Sequence, residues 1–249
     1  MTNIYDFFDD ILCINLEYRN DRKLQSQEFF QKLNIPAKFF TVKKHEKGGR
    51  YGCFDSHIKV LQYAYDNDYE NILVFEDDFI PTIGYDENII KNAIEFMQTN
   101  KDWDIFYLGY SFIKFQNGSI RTIFNSPNYE KNIIQFNPLL THALCYNKRA
   151  IKNILDTYDQ YIGIIQYDEF LAYYSKINNY CILPLMFDQN WLCEYDNESI
   201  NMFEFIIRSL YPLWGYTYIH YYMSLIRYYI HIIYIILICI CIIYFYIRY

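Results

Sequence analysis

From Ile11 to Leu183, short apolar runs alternate with stretches whose apolar residues recur at helical spacing. ILCINL at Ile11–Leu16 predicts a buried strand, after which Asn20 or Asp21 caps a helix with Leu24, Phe29, Phe30 and Leu33 facing inward. Ala37–Val42 predicts a second strand, followed by the polar loop KKHEKGGRYG. Asp55 is the expected cap of a helix carrying Ile58, Leu61 and Tyr65 on one face, and Ile72–Phe75 is the next buried strand. A helix over Glu87–Met97 and a strand over Trp103–Leu108 follow. Residues 109–132, with Gly118 and Pro127, read as hairpin and loop. Strands at Ile133–Phe136, Thr141–Tyr146 and Cys181–Leu183 interleave with helices at Lys148–Tyr158 and Asp168–Lys176. This alternation predicts an α/β layered domain with a mainly parallel central sheet, spanning residues 1–205.

The pattern then changes. Tyr228–Ile247, YYIHIIYIILICICIIYFYI, has His231 as its one ionisable group besides tyrosines, and Arg227 and Arg248 flank it. About 20 apolar residues at ~1.5 Å each match the ~30 Å hydrocarbon core, so the segment is expected to be a single C-terminal transmembrane helix. Residues 206–227 approach it with Tyr211, Trp214, Tyr216, Tyr218, Tyr221 and Tyr222, an interfacial aromatic belt. Arg208 and Arg227 favour a cytoplasmic N-terminal domain under the positive-inside rule, and MTNIYDFFDD carries no signal-peptide pattern that predicts export.

Composition narrows the partners. Lys plus Arg number 22 against 29 Asp plus Glu, a net charge of -7 with no basic run, which argues against a nucleic-acid partner. Seven cysteines at 13, 53, 145, 181, 193, 239 and 241 are odd in number and widely spaced, without a CxxC pair. They read as reduced thiols.

The stretch NILVFEDDF poses the chemical question. Ile72 to Phe75 head for a core, yet Glu76, Asp77 and Asp78 follow at once, and burying their charges costs several kcal/mol unless they are paired or bind metal. In a sheet of this kind ligands gather at the carboxyl ends of strands, where clustered carboxylates suit Mg2+ or Mn2+ with a phosphorylated substrate. Strand alternation puts Glu76 and Asp78 on one side and Asp77 on the other. Ser56 and His57 are open to two readings, a nucleophile with its base, or donor binding and helix capping. Adjacent helical residues diverge by ~100°, which favours the second. His142 in an apolar strand reads as a core histidine, and Asp188 as a further metal-ligand candidate.

Taken as one unit, GRYGCFDSHIKVLQYAYDNDYENILVFEDDF resembles the family 25 glycosyltransferases, which include lipopolysaccharide and collagen galactosyltransferases. The likeness extends over residues 10–200: Ile14-Asn15-Leu16 and Asp21-Arg22 before this unit, then THALCYNKRAIKNIL, Asp168 in QYDEFL, and Pro184, Gln189 and Ser199-Ile200. Cys145, Asn147 and Tyr167 depart from the family pattern. The resemblance implies a GT-A-like nucleotide-sugar fold, a UDP-hexose donor (galactose or glucose), a glycan or protein acceptor, a divalent cation, and inversion. On that basis Glu76 and Asp78 are the expected metal ligands, and Asn15, Arg22, Ser56, His57 and Asp77 the donor-binding residues. Asp168 or Glu169 is the expected catalytic base. Two other readings stay open: a metal-dependent nucleotidyl- or phosphotransferase, and a degenerate, membrane-tethered binding protein.

Overall fold

The computed structural model describes residues 3–111, 113–116, 119–122, 128–130 and 132–190. Five helices and twelve strands occur among them: β1 (Asp10–Leu16), α1 (Asn20–Lys32), β2 (Lys38–Val42), α2 (Gly49–Asp66), β3 (Asn71–Glu76), β4 (Phe79–Pro81), α3 (Glu87–Thr99), β5 (Ile105–Ser111), the hairpin β6 (Ile113–Gln116) and β7 (Ser119–Thr122), β8 (Asn128–Glu130), β9 (Ile133–Gln135), β10 (Leu139–Asn147), α4 (Lys148–Thr157), α5 (Tyr167–Tyr173), β11 (Asn179–Ile182) and β12 (Phe187–Gln189).

The main sheet has the order β2-β1-β3-β10-β5-β11-β9-β8, with β12 pairing to both β5 and β4. Strands β2, β1 and β3 pair in parallel, as do β5 and β11, while β10 runs antiparallel between β3 and β5. The sheet is therefore mixed, with its central strands running one way except β10. Its two faces are buried against separate helix layers. Ile72 and Val74 of β3 join the core under α2, α4 and α5, whereas Leu73 and Phe75 join the core under α1 and α3. All four are fully buried, each contributing about 1.5–3 kcal/mol against exposure.

Three helical details differ from the sequence expectation. On α1, Leu24 is 62% exposed, and the buried positions are Arg22, Ser26 and Phe30 at i, i+4 and i+8. The polar residues turn inward because the buried acids after β3 need donors. Helix α2 begins at Gly49, not at Asp55, and absorbs the GRYG expected as loop. Gly48 precedes it at φ 88°, and a Cβ at Gly52 would stand 3.0 Å from that of His45. Asp55 sits mid-helix, paired with Lys59 at 2.6 Å. Tyr65 is exposed and Ala64 takes the buried place.

No helix among the described residues is long and apolar enough to cross a membrane. The expected span Tyr228–Ile247, and residues 206–227 before it, lie outside the described residues. Cys13, Cys145 and Cys181 are buried free thiols, and Cys53 is an exposed one.

Candidate active site at the carboxyl end of the central strand

The alternation of β3 carries through its last residue and one beyond. Glu76 continues the α2 face and meets His57, whose Nε2 donates to Glu76 Oε1 at 3.1 Å. Asp77 continues the α1 face, where Oδ1 accepts from Arg22 Nη1 (3.0 Å) and Oδ2 from Asn15 Nδ2 (2.7 Å). Ser26 Oγ donates to the Asp77 carbonyl oxygen at 2.9 Å, pinning the turn itself. Helix α1 and strand β1 thus use three polar side chains to hold one aspartate.

Asp78 leaves the alternation because β3 ends at Glu76 and the chain turns toward β4. Its Oδ2 accepts from Gln189 Nε2 (3.0 Å) and lies 3.6 Å from Arg22 Nη1. Alternation predicts Asp78 on the side of Glu76, but Asp78 shares Arg22 with Asp77, while Glu76 bonds His57 and Thr141. Burial, then Glu76, push the Asp78 carboxyl up to about 7, with Arg22 opposing and Asp77 adding to the rise. Burial also raises Asp77 despite Arg22 and Asn15. For Glu76 burial is outweighed, first by the hydrogen bond and charge of His57 and then by Thr141, so its carboxyl lies below its ordinary value.

Strand β10 supplies the rest of the frame. Its pairing with β5 shifts register between Leu139 and Leu144, and Leu140 has φ 68°, unusual for a residue with a side chain. This bulge aims Thr141 Oγ1 at Glu76 Oε1 (2.5 Å) and the Leu140 N–H at Asp168 Oδ2 (3.1 Å). It also sends His142 Nε2 to the Phe187 carbonyl oxygen at 3.2 Å, as a fully buried core histidine. Gly109 of β5 leaves room for that ring: a Cβ there would collide with His142 Nε2 and stand 2.8 Å from the Phe187 oxygen.

The sequence-predicted residues therefore divide by what they touch. Arg22, expected on a donor phosphate, is the buried counter-charge of Asp77 and Asp78. Asn15 and Asp77, expected on the donor, bind each other. Ser56 Oγ donates to the Gly52 carbonyl oxygen at 2.6 Å, a bond within α2 rather than a nucleophile's arrangement. Glu169 Oε2 accepts from the Gln166 N–H (3.1 Å) in a capping box, so its carboxylate serves the start of α5. Asp168 faces the acidic cluster. Burial raises its carboxyl, opposed by the backbone N–H groups of Leu140 and Glu169, while Glu169 and Glu76 add to the rise.

Sequence reasoning missed four contributors. Thr141 and Leu140 act through a bulge that no local pattern announces. Gln189, noted only as a landmark, is the side chain that reaches Asp78, whereas the candidate ligand Asp188 accepts from the Gln189 N–H at 2.8 Å. Tyr167, seen as a departure, stacks on His57 with centroids 4.3 Å apart and planes at 16°, fixing the imidazole over Glu76.

A divalent cation fits this donor set. Asp78 Oδ1 is buried and has no hydrogen-bond partner among the described residues, an unmet acceptor in the field of Glu76 and Asp77. Asp78, with Glu76 next to it, would hold such an ion.

Among solved structures, the chain is similar to a glycosyltransferase involved in glycosylation of the major capsid of PBCV-1. That match has 12% identity and a TM-score of 0.43, covering 72% of this chain and 92% of that one. Drosophila β1,4-galactosyltransferase 7, in a complex with manganese, UDP-Gal and xylobiose, aligns at 12% identity and a TM-score of 0.43 over 80% of this chain and 79% of that one. A197 from STIV aligns at 15% identity and 0.42 over 70% and 81%. A comparison with curated proteins finds no match. The profile of glycosyltransferase family 25 (LPS biosynthesis protein) matches residues 42–171, from the end of β2 through α5 and so across every acid of the cluster; the chain belongs to glycosyltransferase family 25.

Proposed function

We propose that the protein moves a hexose, galactose or glucose, from a UDP-sugar to a hydroxyl of a glycan or protein acceptor, with inversion and with Mn2+ or Mg2+. The observation that carries this reading is the buried, unpartnered Asp78 Oδ1 in a cluster of acids at the carboxyl end of β3. A bound cation supplies charge neutralisation to the diphosphate leaving group. Asp78 and Glu76 hold it, and Asn15, Arg22 and Ser26 keep the turn between them in place by fixing Asp77.

Asp168 is the base that takes the acceptor hydroxyl proton. Each of its oxygens accepts one backbone N–H, which leaves a lone pair for that proton, and its raised carboxyl pKa makes it a stronger base than a solvated aspartate. A single displacement needs no enzyme nucleophile, in keeping with Ser56 being bonded to Gly52. The C-terminal segment 228–247 anchors this domain to a membrane from its cytoplasmic side, a reading that rests on the length and apolarity of that segment.

The test is a thermal-shift series with UDP-galactose and UDP-glucose, with and without Mn2+. A donor at a hundredfold its Kd stabilises by about 2.7 kcal/mol. The shift is expected to require the cation and to vanish in Asp78→Asn. Asp168→Asn is expected to keep the shift and lose about 10²–10⁴-fold in transfer rate, the usual contribution of a general base. A cation-dependent shift with nucleoside triphosphates, and none with nucleotide sugars, would replace this reading with nucleotidyl transfer.

A further inference from the structure

Helix α2 supplies two members of a second donor set, which shares only Glu76 with the proposed cation position at Asp78. Cys53 and His57 lie one helical turn apart and so share a face. That face looks onto Glu76, and one ligand atom each from Cys53, His57 and Glu76 lie within 4.8 Å of one another. Cysteine spacing alone hides the trio, since its nearest thiol neighbours are far away in sequence and its third member comes from β3.

We propose that Cys53, His57 and Glu76 form a binding site for a zinc-class divalent ion, distinct in chemistry from the hard-cation position at Asp78. Ligand atoms on a tetrahedral zinc stand about 3.5 Å apart, given bonds of ~2.0–2.3 Å. Closing from 4.8 Å takes roughly an ångström of movement by the Cys53 and Glu76 side chains, with the His57–Glu76 hydrogen bond giving way to shared coordination. His57 needs no such movement, because its ring is already held flat against Tyr167. Sulfur, nitrogen and oxygen together select a borderline ion, while Mg2+ and Mn2+ favour oxygen alone. Three protein ligands leave a fourth position open to water or a ligand oxygen. Cys53 is exposed as a residue while its thiol lies close to Glu76, where burial and then that carboxylate raise its pKa, so an ion that binds there displaces the thiol proton. Glu76 belongs to both sites, which makes the zinc-class ion a competitor for a carboxylate of the proposed transferase site.

The proposal shares Glu76 with the transferase reading but does not rest on it, and its test reads metal binding alone. Co2+ titrated into the full chain is expected to give a thiolate-to-cobalt charge-transfer band that saturates at one equivalent, persists in excess Mg2+ and is displaced by Zn2+. Cys53→Ser is expected to abolish the band, and His57→Gln to weaken cobalt binding by more than about tenfold, the low end for disturbing even an outer partner of a metal ligand. Cys53→Ser exchanges a single atom, and circular dichroism checks that the variant is folded. Absence of the band from the parent chain overturns the site. So does a band that survives Cys53→Ser, since cobalt would then be on another cysteine.

Discussion

At the residue level, Asp78 shows what the acidic cluster costs before any ligand arrives. Its carboxyl is raised from 3.8 to about 7, so the folded state holds a proton that the unfolded chain releases near pH 4. Below pH 4 both states are protonated and the group contributes nothing. As pH climbs toward 7 the folded state must keep the proton or bury a charge, and stability falls by on the order of a few kcal/mol, at ~1.4 kcal/mol for each step of one in pH. Above pH 7 the loss is complete. Asp78→Asn removes that cost while leaving an oxygen to accept from Gln189. The variant is expected to melt several degrees above the parent at pH 8 in metal-free buffer and at nearly the same temperature at pH 4, where each kcal/mol is worth roughly 2–4 °C in a chain this long. A variant that melts at or below the parent temperature at pH 8 would show that Arg22 and Gln189 already compensate the charge. The same residue then links stability to activity, because the substitution that relieves the fold is the one that removes the proposed metal ligand.

Among the elements, β10 decides the geometry more than any helix does. One bulge delivers an N–H to Asp168, a hydroxyl to Glu76 and an imidazole to the backbone of β12, so a shift of that strand moves base and acidic cluster together. Gly109 on the neighbouring strand is the fitted contact. Adding a methyl group drives carbon into the ring of the fully buried His142 and to 2.8 Å from the Phe187 carbonyl oxygen, a backbone atom that cannot swing aside. Overpacking of this kind costs about 1–3 kcal/mol. Urea denaturation of Gly109→Ala should therefore show a lower midpoint equivalent to about that loss, with the slope unchanged. A midpoint within ~0.5 kcal/mol of the parent, the range of ordinary surface substitutions, would mean that the bulge gives way without strain. Helix α1 makes the complementary point. Its apolar spacing predicted an inward Leu24, but the demand of Asp77 for Arg22 and Ser26 set the rotation, and a local pattern carries no record of a partner some fifty residues away.

For the whole molecule, what could be read from the chain was what continuous apolar runs encode. The buried strands β1, β3, β5 and β10 fall where ILCINL, ILVF, the run after Trp103 and the run around His142 predicted them, and the acids stand at a strand's carboxyl end as expected. The short strands β4 and β12 escaped, since three residues of β-structure held by a distant partner have no periodicity of their own. The hydrogen-bond partners of Arg22, Asn15 and Glu169 also escaped, because a motif fixes residue type and position but not which neighbour claims the side chain. The proposed membrane anchor is the reverse case, resting wholly on sequence. The ground for that proposal is the length and apolarity of Tyr228–Ile247, which match what a helix needs to cross the ~30 Å hydrocarbon core. Every acid of the cluster and both helix layers of the core lie before residue 190, and each contact described for the site is made among those residues. Truncation after Tyr222 is accordingly expected to move the protein from the membrane pellet to the soluble fraction while the cation-dependent thermal shift with a UDP-sugar stays within about 1 °C of the full chain, a change too small to be one kcal/mol. A full chain that is monomeric and soluble without detergent would overturn the anchor and leave the site untouched. A truncated chain that loses the shift would instead place part of the donor site beyond residue 222.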